Sequence, residues 1–265
     1  MRQLSSIYRR IVNRSFLLRV QDHGGTGSVV IMLHGLASSS RNWQYVIPLL
    51  KENYHCITID LLGFGESPKP EWVEYSIDQH VRSIHRTIRS LKLTEPYILA
   101  GHSLGSLLAC RYARRYASEI KKLLMISPPV YFHHSHYGRR KVRQKAGLYL
   151  RVYRFLRTHK RFTLGNMTQL SKIMPAMGSL QLTEETWLPF TKSLENCIET
   201  QTVITDIAEV TAPVDLLYGS RDQVIVTDNL KVVASMRQVR VHEVKGATHF
   251  VHTKMARAVQ SAFNR

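Results

Sequence analysis

Three residues far apart in the chain carry the chemistry this sequence suggests. They are Ser103 in Gly101-His102-Ser103-Leu104-Gly105, Asp222 in Gly219-Ser220-Arg221-Asp222, and His249 in Gly246-Ala247-Thr248-His249-Phe250. A serine hydroxyl is a weak nucleophile near neutral pH and needs a base beside it. An imidazole can take its proton, and a carboxylate can hold the imidazole's tautomer and stabilise its charged form. In that arrangement Ser103 attacks a carbonyl, His249 shuttles the proton and Asp222 orients His249. The glycines flanking Ser103 point beyond a helix cap, because a strand-to-helix turn sharp enough to project a hydroxyl leaves no room for neighbouring side chains. A tetrahedral oxyanion also needs donors. By position these are the backbone N–H groups of Leu36, after His34-Gly35, and of Leu104, after Ser103.

Other residues compete for these roles. Asp206 precedes a late strand and Asp215 lies inside it, so both read as salt-bridge or hinge residues. Among the 13 histidines, His80 and His85 fall on an amphipathic helix, His242 in a strand and His252 in the last helix, and all four read as structural. His102 faces into the turn and is given no proton-transfer role. His133-His134-Ser135-His136 invites a metal reading, but no acidic or cysteine ligand lies near in sequence, so no metal is expected. The three cysteines, Cys56, Cys110 and Cys197, are an odd number without paired spacing, which suggests neither a disulfide framework nor a zinc site. Free thiols suit a reducing compartment. The basic amino terminus holds no apolar run long enough for a signal or a membrane span, so the expected location is cytoplasmic.

The elements that must position these residues alternate. Strand candidates are Val29 to Leu33, Cys56 to Asp60, Tyr97 to Ala100, Lys122 to Ile126, Val214 to Tyr218 and Val239 to Val244. Between them run helical patterns, such as the stripe Ile77, Val81, Ile84, Ile88 and Leu91 and a helix from Leu104 to Tyr116 directly behind Ser103. Strand alternating with helix argues for a mainly parallel sheet covered on both faces, with its ligand groups in loops at the carboxyl edge. The interval 127–208 breaks the alternation. It opens with Pro128-Pro129 and has helical composition, so it reads as a lid inserted into a core made of 1–126 and 209–265.

Charge is concentrated in that insertion. The net charge is +18, and between Glu119 and Glu184 there is no acidic residue, while Lys121 to Lys172 includes thirteen Lys and Arg. This gap also removes any acid from the loop after the strand ending at Ile126, which leaves Asp222 the best-placed partner for His249. No nucleic-acid-binding motif accompanies the charge, so specific nucleic-acid binding is not expected. Leu148, Tyr149, Val152, Phe155 and Leu156 share one helical face, with Arg151, Arg154 and Arg157 on another. Such a basic amphipathic helix packs on the sheet with a solvated outer face, or meets an anionic membrane surface or an acidic ligand.

Taken together, His34-Gly35-Leu36, Asp60 to Ser67, Gly101 to Gly105, Gly219 to Asp222 and Gly246 to Phe250 resemble the α/β-hydrolase fold superfamily in family order from residue 34 to 250. The resemblance implies an eight-stranded, mostly parallel sheet with a lid inserted after the sixth strand, no metal or organic cofactor, and a structural role for Asp60. In similar proteins the haloalkane dehalogenase and epoxide hydrolase mechanisms need a carboxylate nucleophile, which a serine at the elbow excludes. The remaining expectation is a serine esterase or lipase acting on a small-molecule acyl substrate through an acyl-enzyme. The alternatives are a carbon–carbon bond hydrolase of ring-cleavage products, or a ligand receptor that keeps the fold and lacks turnover.

Overall fold

Runs such as Val29-Val30-Ile31-Met32-Leu33 lack an exposed face, as strands covered on both sides should. The computed structural model describes residues 15–131, 140–173 and 180–263. Within these, seven strands form one sheet: β1 (Val20–Asp22), β2 (Val29–Leu33), β3 (His55–Ile59), β4 (Tyr97–His102), β5 (Ile120–Ile126), β6 (Val214–Gly219) and β7 (Val239–Val244). Their order is β1-β3-β2-β4-β5-β6-β7. Only β1 pairs antiparallel, with β3; the other neighbours are parallel.

Successive strand residues alternate between two cores. On one face Ile31, Leu33, Leu99, Leu123 and Leu216 pack with helices α2 (Ile77–Ser90) and α3 (Leu104–Arg115). On the other, Val30, Met32, Ala100, Leu124 and Leu217 pack with Trp43, α1 (Ile47–Leu50) and α10 (Thr253–Phe263). The amino end of α2 is fixed by a capping box, in which Ser76 and Gln79 satisfy each other's backbone N–H groups. Asp78 in its first turn and Arg89 in its last complement the helix dipole.

The sheet has seven strands among the described residues, not eight. The residues leading into β1 give their N–H groups to side chains in place of another ladder: Phe16 to Ser83 Oγ (3.1 Å), Leu18 to Thr87 Oγ1 (2.9 Å) and Arg19 to Ser67 Oγ (2.9 Å). From β1 the chain passes to β2 through Gly24, Gly25 and Gly27, all at positive φ, in a turn too short to hold a further strand. His252 immediately precedes α10 and is not part of it.

Between β5 and β6 lie α4 (Arg140–Thr158), α5 (Lys160–Gly165), α6 (Met167–Ile173), α7 (Glu184–Ser193), a π-helical turn (Leu194–Glu199) and α8 (Val203–Glu209); α9 (Thr227–Val233) follows β6. Polar contacts tie this helical interval to the sheet's own helices. His80 Nε2 meets Ser193 Oγ at 3.1 Å, and Asn196 Nδ2 donates to the Glu74 carbonyl at 2.7 Å. Asp206 is buried and accepts from Arg111 and Arg114 of α3, each at 2.8 Å. Asp215 is likewise taken, by Lys122 and His242 at 2.6 Å each.

Two fully buried imidazoles make this fold sensitive to acid. Burial, and then the nearby His34 ring, push His80 down to about 3. Burial, and then His249, do the same to His102, also to about 3. In the unfolded chain both return to about 6.5, so below that pH the unfolded chain binds protons that the folded chain refuses. The stability is therefore whole above about pH 6.5 and falls by roughly 1.4 kcal/mol per pH unit per histidine down to about pH 3. Urea unfolding at about pH 7.5 and about pH 5 is expected to show this loss. In His80→Gln the loss should be smaller by about 2 kcal/mol, and an unchanged difference would contradict it.

Candidate active site

Strand order reverses at the β2–β4 boundary, since β3 lies on one side of β2 and the later strands on the other. Loops leaving the carboxyl ends of β2 and β4 therefore diverge to opposite faces and open a crevice there. Ser103 leaves the end of β4 at φ +52°, ψ −118°, as the residue before α3. That backbone is strained for a residue with a side chain, at a cost on the order of 1–3 kcal/mol. It persists because its surroundings hold it: Ser103 N–H donates to the Ile126 carbonyl (2.9 Å), and its own carbonyl accepts from the Ser106 N–H (2.9 Å). A Cβ on Gly101 would overlap the Gly105 carbonyl, and one on Gly105 would overlap the carbonyls of Leu33 and His34.

The loop after β2 is set by a histidine that sequence reading passed over. His34 is fully buried, and its Nδ1–H donates to the Gly35 carbonyl (2.7 Å) while Nε2 accepts the Leu61 N–H (2.9 Å). Both ring nitrogens are occupied by backbone, which fixes the turn through Gly35 and Leu36. Gly35 passes close to Ser103, where a Cβ would lie 3.2 Å from Ser103 Cβ. Asp60 stabilises the neighbouring loop, accepting from Ser40 N–H (2.7 Å), Ser40 Oγ (2.6 Å) and Glu66 N–H (2.9 Å). Leu104 is the first residue of α3, and its N–H is one of those a helix leaves without an internal partner.

Asp222 and His249 arrive from the loops after β6 and β7. His249 Nδ1 and Asp222 Oδ2 are 2.8 Å apart, although 27 residues separate them in sequence. Asp222 Oδ1 also accepts from the N–H of Val224 at 2.9 Å. Burial raises the Asp222 carboxyl, but the His249 charge and hydrogen bond with the Val224 N–H outweigh it, and the acid sits below its ordinary range. It is a carboxylate at neutral pH, and its bond to Nδ1 fixes the proton there. His102 is not idle in the turn: its Nε2–H donates to the His249 carbonyl at 2.8 Å and anchors the loop that carries His249.

Ser103 and His249 share the wall of one cavity of about 460 Å³, mostly apolar. Leu36 contributes from the β2 loop, Phe190 and Ile198 from α7 and the π-helical turn, and Tyr149, Val152 and Leu156 from α4. Helix α4 is also tied to the acid loop. Tyr153 Oη and Tyr131 Oη lie 3.3 and 3.2 Å from the Val224 carbonyl, whose own N–H holds Asp222. No local sequence signal marks that contact. Asp206 and Asp215 stand in ion pairs away from His249. His133, His134 and His136 lie outside the described residues, and among those described no group of three or more His, Cys, Asp or Glu could hold a metal.

The profile of the family described as "alpha/beta hydrolase fold" matches residues 28–254. The chain belongs to that family. Among solved structures, "DBJA (HIS-DBJA)" superposes with a TM-score of 0.75 at 20% identity, covering 93% of this chain and 91% of that one. E-2-(Acetamidomethylene)succinate hydrolase gives 0.72 at 19% identity, with 93% of each chain covered. At such identities these likenesses show the alpha/beta hydrolase fold alone. In sequence, "Probable lysophospholipase BODYGUARD 1" of Arabidopsis thaliana is 36% identical over 107 residues, 38% of this chain and 23% of that protein. 2-Hydroxy-6-oxo-6-(2'-aminophenyl)hexa-2,4-dienoic acid hydrolase of Metapseudomonas resinovorans is 35% identical over 104 residues, 38% of this chain and 36% of that one. Human "Monoacylglycerol lipase ABHD6" is 32% identical over 100 residues, 37% of this chain and 30% of that one. The chain thus spans about a quarter to a third of the length of these curated relatives.

The close approaches in this alpha/beta hydrolase turn make a sharp test. Gly105→Ala is expected to destabilise the protein by more than about 2 kcal/mol, because only main-chain atoms would have to move. Gly165→Ala, at a position with nothing within 4 Å of the new Cβ, is expected to be neutral or stabilising by up to about 1 kcal/mol. Chemical denaturation of both variants checks this, and equal losses would show that the turn at Ser103 can relax.

Proposed function

We propose that the protein is a serine hydrolase that cleaves a carboxylic ester or related acyl compound through an acyl-enzyme intermediate. One observation carries the reading: a buried carboxylate hydrogen-bonded at 2.8 Å to an imidazole that shares the wall of one apolar cavity with a serine held at positive φ. In this reading Ser103 attacks the substrate carbonyl while His249 accepts its proton. Asp222 keeps that proton-accepting nitrogen free by holding the proton on the other nitrogen, and stabilises the imidazolium that forms. The N–H groups of Leu36 and Leu104 receive the oxyanion, each worth about 3 kcal/mol in the transition state. His249 then returns the proton to the leaving alcohol, and water, activated by the same base, releases the acid. No cofactor takes part.

The interval 127–208 acts here as a lid over the core formed by 1–126 and 209–265. The mostly apolar cavity suits an acyl chain better than a polar substrate, in keeping with the lysophospholipase and monoacylglycerol lipase among the relatives. The three free, buried cysteines suit a cytoplasmic setting. No helix among the described residues is long and apolar enough to cross a membrane. A second reading, cleavage of a carbon–carbon bond in a ring-cleavage product, is favoured by the 35% identical hydrolase of M. resinovorans. It uses the same three residues on a vinylogous diketone.

A fluorophosphonate should add once to the parent protein and not to Ser103→Ala, read by intact mass. Turnover of p-nitrophenyl esters should fall at least about a thousandfold in Ser103→Ala and about a thousand- to ten-thousandfold in Asp222→Asn, with folding retained. A folded parent that neither labels nor turns over any ester in a graded chain-length series would overturn the ester reading. Turnover of a dienoic diketone without ester cleavage would select the second.

A further inference from the structure

Helix α4 does not turn all its apolar residues inward. Tyr149, Val152, Tyr153 and Leu156 line the cavity, but Phe155 is 44% exposed, and Leu148, at the cavity wall, is 53% exposed. Phe162 of α5 is 45% exposed and meets Phe155 edge to face, with ring centroids 5.4 Å apart. His159 stacks on Phe155, with ring centroids 4.1 Å apart. The result is a continuous ridge of Phe155, His159 and Phe162 in solvent, and Leu148, two helical turns before Phe155, joins it to the cavity.

The charges around this ridge divide in two. Arg157 faces Glu195 and Glu199, and Lys160 faces Glu184, so both are neutralised within the protein. Arg151, Arg154 and Arg161 are exposed, and none forms an ion pair with a carboxylate among the described residues. The stretch 120–183 contains no acid to oppose them.

We infer that the outer face of α4 and α5 docks on an anionic lipid surface, with Phe155 and Phe162 entering the interface and Arg151, Arg154 and Arg161 meeting lipid headgroups. Exposed phenyl rings beside unneutralised guanidinium groups match the two layers of a bilayer surface, apolar acyl boundary and anionic headgroups, at once. A nucleic-acid duplex, met through its phosphates, would satisfy the cations and leave the rings without a partner. The docked face lies at the cavity, where Leu148 belongs to both, so an acyl chain would pass from the lipid phase to the apolar wall without crossing bulk water. That delivery step rests on the hydrolase reading; the docking itself does not.

The test is flotation of Ser103→Ala, which leaves the vesicle lipid intact, with phosphatidylcholine vesicles and with vesicles carrying about a third phosphatidylserine. Binding is expected on the anionic vesicles, weakening with added salt, and little on the neutral ones. Added to that background, Phe155→Ser with Phe162→Ser, and separately Arg154→Glu with Arg161→Glu, should each weaken binding about tenfold or more. In the parent chain, with Ser103 intact, both pairs should leave thermal unfolding and turnover of a soluble ester unchanged. No binding to either vesicle, or binding insensitive to the phenylalanine pair and competed away equally by a soluble polyanion, would overturn the proposal. Vesicle binding by a parent that hydrolyses no ester would refute the ester reading and keep the docking. Ester turnover without vesicle binding would do the reverse.

Discussion

Main-chain atoms pack against main-chain atoms at the end of β4, where the absence of Cβ at Gly101 and Gly105 lets α3 begin against the carbonyls that end β2. That approach sets the backbone of Ser103 at positive φ and brings Gly35 beside its side chain. The strain there is small against the apolar burial of the two cores, and the hydrogen bonds of Ser103 to β5 and to Ser106 stop it from relaxing. The geometry of the crevice follows: the β2 loop, the amino end of α3 and the serine converge because the two strands touch at the point where sheet order reverses.

Around that turn, buried histidines act as fixed polar struts, not as titrating groups. His34 ties the β2 loop to Leu61, and His102 ties β4 to the carbonyl of His249. Burial keeps His34 and His102 neutral near physiological pH, so each presents one donor and one acceptor in a set tautomer. A lysine or arginine in either place would need a charged partner, and an apolar residue would leave a backbone group unpaired. The imidazole that differs is His249, whose Nδ1 meets a carboxylate and not a peptide group. Electrostatic preorganisation at the site therefore rests on neutral neighbours that cannot compete with Asp222 for the proton.

Much of this architecture was legible in residue order. Six strands lie within two residues of their expected bounds, because the inner parallel strands appear as largely apolar runs and the edge strand β7 as an alternation of apolar and polar residues. β1 was not visible, since its three residues are half-buried or exposed and its pairing depends on β3. The eighth strand expected from family likeness is not found among the described residues. The approach of Asp222 to His249 was readable only as a property of strand ends, while the clasp of Tyr131 and Tyr153 on the Val224 carbonyl has no local signature at all. Helical periodicity grouped Leu148 and Phe155 with Leu156 on one face, yet it could not tell which edge of a broad stripe meets the sheet. Packing buried Leu156, left Phe155 in solvent and set the partly exposed Leu148 at the cavity wall.

That division of one stripe follows from how α4 is held. Its inward side is pinned by Tyr153 to the acid loop and by Arg157 to the π-helical turn. With the helix fixed at those two points, its rotation is fixed as well, and Phe155 cannot turn inward without breaking the Arg157 pair with Glu199. Arg157 also occupies Glu195 and Glu199, while Arg151 and Arg154 form no ion pair with a carboxylate among the described residues. Exposed rings and unneutralised cations are thus two consequences of one orientation, and that orientation is set by contacts to the loop holding Asp222. A substitution that frees α4 to rotate, such as Arg157→Gln, should bury Phe155 and slacken the Val224 carbonyl together, which fluorine NMR of a labelled Phe155 and hydrogen exchange at Val224 would register as a single event. Independent changes would mean that the helix and the acid loop are not mechanically joined.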